Sequence, residues 1–207
     1  MKTLNQKTSG LTPAEWRQLK KLKTPSKIQD LLSSLKFNLE KRGQTHRSVR
    51  GVLNKGEAHC FEGALLAAAA LWIQGCKPLL LDLKVAYPDF DHVVALFKED
   101  GLWGAISKTN HPVLRYRDPV YKSVRELAMS YHHEYFLRDG QKTLRSFSKP
   151  FDLSKHGLDW LTTTENLAEL AYTLDQSPHT SILTPKQVRR LRKAEAIEIK
   201  ASDIAEW

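Results

Sequence analysis

The chain has 207 residues, 41% hydrophobic and 27% charged, a balance that suits one globular domain with room for a helical appendage. A formal charge of +9 would suit an acidic partner, but charge alone does not establish nucleic-acid binding, which stands as a third and weaker reading. Two cysteines rule out a disulfide framework, no apolar run reaches the roughly 20 residues of a membrane span, and MKTLNQKTSGLTPAEW lacks a signal-peptide core. A soluble protein of the reducing cytoplasm is expected, with no membrane partner.

Residues 1–10 read as a frayed arm. Thr12-Pro13-Ala14-Glu15 carries a capping threonine, proline at the first helical position and glutamate at the capping-box spacing, so a helix runs on to Lys23. Thr24-Pro25-Ser26 starts a second helix, with Ile28, Leu31, Leu32, Leu35 and Leu39 on one face. Lys41 to Arg50 is a polar loop. Its Arg42, His46, Arg47 and Arg50 read as solvated, with a border of a site as the other option.

Gly56 ends this part. Cys60 to Ile73 then forms a helix about 20 Å long. It is apolar all round, with Glu62 its only charge, so it should be buried at the centre of the fold. A cysteine at the start of such a helix faces free N–H groups and the positive end of the dipole, which lowers the thiol pKa. Cys76, beyond the helix end, has the opposite environment and reads as structural. Leu79 to Ala86 is a strand, broken by Tyr87-Pro88-Asp89. His92 to Phe97 is a second, Asp100-Gly101 a hairpin turn, and Leu102 to Ser107 a third.

Asn110-His111-Pro112 turns the chain. Asp118-Pro119 is expected to open a short helix from Val120 to Met129. Tyr131 to Leu137 and Thr143 to Phe147 read as a hairpin around Asp139-Gly140. The arginines of this stretch are expected to pack on its aromatics. His132-His133-Glu134 is no chelate, because neighbours on a strand point to opposite faces. Leu161 to Leu174 is expected as a helix and Gln176 to Thr180 as a linker. A last helix opens at Thr184-Pro185, its Lys186, Arg189, Arg190, Arg192 and Lys193 forming a solvated face.

The order Cys60-helix, strand, His92-strand, turn, Trp103-strand resembles the transglutaminase-like superfamily of cysteine enzymes. Glu62 two residues past the cysteine, Gly75 ending the helix, and Gly101 with Trp103 after the hairpin complete the likeness, which covers about a quarter of the chain. The resemblance implies an α+β fold: a cysteine-bearing helix on an antiparallel sheet, with an N-terminal helical segment (1–50), a core (51–150) and a C-terminal helical extension (151–207). It implies Cys60 as nucleophile and His92 as base, acting on an amide or acyl bond of a peptide, protein or small amide. Hydrolysis is expected ahead of transfer, with no cofactor or metal. Four residues past the tryptophan, where the family usually has aspartate, stands Ser107. A two-residue hairpin loop pairs Glu99 with Leu102 and a four-residue loop pairs Phe97 with Leu102; both put Ser107 on the His92 side. Asn110 is the fallback partner, and a plain strand end is the other reading of Ser107. Loss of the acid leaves open a second class, a transglutaminase-like fold used as a binding module.

Overall fold

The structure, a computed structural model, describes residues 3–41 and 43–206. Among these residues the fold is α+β, with the helix of Cys60 packed on a largely antiparallel sheet. Helices α1 (Pro13–Lys20) and α2 (Pro25–Ser34) come first, each with proline in its first turn and a threonine hydroxyl capping its N-terminus. Strand β1 (Lys36–Phe37), helix α3 (Val49–Lys55) and strand β2 (Glu57–Ala58) lead into α4 (Cys60–Ile73). Strands β3 (Leu79–Val85), β4 (His92–Glu99), β5 (Leu102–Ile106) and β6 (Arg117–Tyr121) follow, then α5 (Val124–Ser130), β7 (Leu144–Ser148) and β8 (Phe151–Asp152). The chain ends in α6 (Asp159–Thr162), α7 (Ala168–Asp175), β9 (His179–Ser181), α8 (Pro185–Val188) and α9 (Ala196–Ser202).

The main sheet has seven strands among the described residues, in the order β6-β5-β4-β3-β7-β9, with β8 also pairing β3. Every residue of α4 from Phe61 to Trp72 is buried. Strand alternation divides the sheet into two faces. Leu80, Val93, Ala95 and Phe97 join α4 and the N-terminal helices in one core cluster. Leu81, Leu83, Val94 and Leu96 face Leu127, Ala128 and Tyr131 in a second cluster. The β4–β5 hairpin uses the two-residue loop, with Glu99 opposite Leu102 and Ala95 opposite Ile106.

Several boundaries differ from the sequence expectations. Leu4 is buried and residues 5–9 make a turn, so the arm is packed over its described part. Helix α1 stops at Lys20. Helix α2 ends before Leu35, where the chain turns extended and pairs in parallel with β2, leaving Leu39 exposed. The polar loop gives way to α3 at Ser48, whose hydroxyl caps it. Arg50 binds Glu15 of α1 at 2.8 Å, so it is not simply solvated, and Arg42 lies outside the described residues. Asp118-Pro119 sits in edge strand β6, where a missing N–H is tolerated, and the helix starts only after the Ser123 cap. Tyr131 to Leu137 is turns with one bridge, Phe136 to Lys142. The expected helix 161–174 is split into α6 and α7, because the Thr163 carbonyl takes the Ser48 hydroxyl and the Leu167 N–H goes to the His46 carbonyl. The supposed linker holds β9, which extends the sheet edge. The basic helix is a single turn, α8, and α9 beyond it was not foreseen.

Candidate active site

Cys60 is the first residue of α4, half-buried, on the wall of a cleft of about 770 Å³. His92, the first residue of β4, lines the same cleft and is buried. Ser107 follows the last residue of β5, and its Oγ lies 2.8 Å from His92 Nε2. The Ser107 hydroxyl donates to the Leu114 carbonyl, which can only accept. Its single proton is thus committed, and Oγ must accept the Nε2–H of His92. The other ring nitrogen, Nδ1, is left for the thiol, and the His92 side chain hydrogen-bonds Cys60.

Two distant elements hold Ser107 in place. The Gln29 amide of α2 clamps its backbone from both sides, accepting from Ser107 N–H at 3.0 Å and donating to Ser107 O at 2.9 Å. Leu114 sits in the left-handed region at φ 59°, its N–H fixed by Glu134 at 2.6 Å. Asn110, the alternative partner, lines the cleft but is not needed as an acceptor, since both nitrogens of His92 are taken.

A second imidazole was not foreseen as part of this site. His59, just before α4, donates Nε2–H to the Thr45 carbonyl at 2.6 Å and hydrogen-bonds Cys60. Burial pushes the Cys60 thiol up, but the hydrogen bonds and charges of His59 and His92 outweigh this and bring it down to about 5. Burial pushes His59 down; its bond to Cys60, the thiolate charge and the Glu62 charge lift it to about 9. Between these values the pair exists as thiolate and imidazolium. Cys76 moves the other way, raised first by burial and then by Glu99.

Glu62 anchors this corner. It is fully buried and accepts from His59 N–H (3.1 Å), Arg47 N–H (3.0 Å), Thr45 Oγ1 (2.9 Å) and Asn38 Nδ2 (3.0 Å). A lone charge in an apolar helix had to find such partners, so their existence was inferable though their identities were not.

His132-His133-Glu134 is no ligand set: Glu134 binds Arg117 at 2.6 Å, and the Arg117 guanidinium lies over the Tyr131 ring. The one group of metal-type ligands among the described residues is Asp82, Asp91 and Asp175, whose carboxylates lie within 4.8 Å of one another. Lys84 already contacts Asp175 at 2.6 Å and His179 contacts Asp82 at 3.2 Å. The chain matches no protein-family model, and no curated protein sequence matches it.

Proposed function

We propose that the chain is a transglutaminase-like cysteine enzyme that cleaves an amide or acyl bond, hydrolysis ahead of transfer. The observation that carries this reading is the Cys60 thiol, brought down to about 5 at the mouth of a cleft beside an imidazole oriented by Ser107. The thiolate attacks the carbonyl carbon. The tetrahedral oxyanion takes the Cys60 backbone N–H, one of the four N–H groups that a helix start leaves free. The C–N bond breaks as the His92 imidazolium gives its proton to the leaving amine, leaving a thioester. Water then attacks the thioester, His92 accepts the water proton, and the acid departs as Cys60 returns to thiolate. His59 holds a second positive charge against the sulfur. Two free thiols, neither in a disulfide, suit a reducing cytoplasm.

A second reading, a binding module with weakened chemistry, rests on Ser107. A serine orients the imidazole but brings no charge to stabilise imidazolium. Alkylation by iodoacetamide with peptide mapping, together with profiling of His92→Ala by a thiol electrophile, tests the two. Fast labelling of Cys60 alone supports the enzyme. Equal labelling of Cys76, or a Cys60 that titrates as an ordinary thiol, removes it.

A further inference from the structure

The chain carries 32 lysines and arginines against 23 acids, yet its cleft is lined by Glu40, Asp89, Asp91, Glu134 and Asp203 against Lys108, Arg138 and the charged His59. Glu134 is answered by Arg117 at 2.6 Å and Asp203 by Arg138 at 3.4 Å. Glu40 stands 3.8 Å from the His59 imidazolium, which leaves Asp89 and Asp91. The Lys108 ammonium turns away, donating to the Leu35 carbonyl, and the residue is 5% exposed. Asp89 is held by the Thr143 hydroxyl and the Phe90 N–H, and Asp91 by the Val85 N–H. Behind Asp91, the charges of Asp82 and Asp175 are met by His179 and Lys84.

The same 86–91 loop presents two bare rings. Tyr87 is 96% exposed, and Phe90, which lines the cleft, is 84% exposed. Carboxylates beside an aromatic face are what an ammonium or guanidinium group binds. Resting on the acyl-handling reading above, we infer that the substrate carries a positive charge beside the reacting carbonyl, as a lysine- or arginine-bearing peptide does. Its cation lies on Phe90 between Asp89 and Asp91 while its carbonyl meets Cys60. An acidic substrate would meet the Asp89 and Asp91 carboxylates at the same wall.

The test uses methanethiosulfonates of three charges on the full chain: trimethylammonium-ethyl, methyl and sulfonato-ethyl, with Cys60 followed by peptide mapping. The ratio of cationic to anionic rate, divided by that of 2-mercaptoethanol, is expected to exceed about ten at low salt, since unscreened charges act over a Debye length. It should fall toward one in Asp89→Asn/Asp91→Asn and in high salt. A corrected ratio at or below one, or one unmoved by the double variant, overturns the inference. Failure of all three reagents at Cys60 sinks the nucleophile reading instead. The charge preference is then read without the thiol, by NMR titration of the Cys60→Ala chain with acetyl-arginine amide and acetyl-glutamate amide. Shifts in the 86–91 loop with the arginine compound alone sustain the inference; equal shifts, or none, end it.

Discussion

At Cys60, burial and the two histidines oppose each other, and the histidines win. The thiol sits near 5 and His59 near 9, so the reactive ion pair fills the window between. Below about 5 the sulfur is protonated and unreactive; above about 9 His59 loses its proton and its hold on the thiolate. Alkylation by iodoacetamide should therefore rise with a midpoint near 5, with a second, smaller change near 9 as the His59 charge leaves the sulfur. An alkylation midpoint near the ordinary thiol value would contradict this. A serine suits position 107 chemically. Its hydroxyl both accepts from His92 and donates to the Leu114 carbonyl, and a carboxylate would set two acceptors against each other there. Ser107→Ala should lower kcat about 10- to 100-fold with KM little changed, the span of one hydrogen bond to a charged group. An unchanged kcat would leave Ser107 a mere strand end.

At the level of elements, the site is made where α4 meets the chain leaving β5. Gly63, one turn into α4, permits that approach: a Cβ there would stand 2.6 Å from the Lys108 Cβ. Alanine would gain about 1 kcal/mol of helix propensity. Overpacking against a side-chain root with no freedom to swing costs about 1–3 kcal/mol. Gly63→Ala should thus lose about 1 kcal/mol in urea unfolding, and it should slow Cys60 alkylation by pushing residues 107–110 off the helix. A stabilised variant would show that the contact yields easily. The elements themselves were unevenly legible. Helix α4 was read with both ends correct, because fourteen residues, all apolar or small but Glu62, flanked by turn signals have one solution. The β4–β5 hairpin followed from Asp100-Gly101, and its observed register is one of the two that place Ser107 toward His92. The end of edge strand β6, Val120 and Tyr121, was read as the start of a helix. What makes it a strand is a partner, Ala105 opposite Arg117 and Trp103 opposite Tyr121, and no local signal carries that.

Over the whole molecule, no described helix is long and apolar enough to cross a membrane. The basic stretch after Thr184 is partly spent on ion pairs, Arg192 with Glu195 at 2.6 Å and Lys193 with Asp139 at 3.3 Å. Helix α9 buries none of its residues, yet Ser202 and Asp203 line the cleft. It is tied by Glu206 N–H to Asn110 O at 2.8 Å and by His111 Nδ1 with Ser202 O at 3.0 Å. Ending the chain at Ala194 should change unfolding free energy by under about 1 kcal/mol, the usual scale for surface changes. It should speed Cys60 labelling by bulky maleimides a few-fold while leaving iodoacetamide unchanged. Equal effects on both reagents would mean that the tail acts on the thiol and not on access. The primary sequence by itself determined the α+β class and the buried helix that Cys60 opens, since apolar periodicity and turn residues act over a few neighbours; His92 was singled out by a resemblance in the order of elements and by no local signal. Tertiary structure alone decided that Gln29 clamps Ser107, that the Thr45 carbonyl holds His59, that Asn38 and Thr45 satisfy Glu62, and that Asp89 and Asp91 reach the cleft wall. Those are meetings between residues far apart in sequence, set by how the layers pack, and no local pattern encodes them.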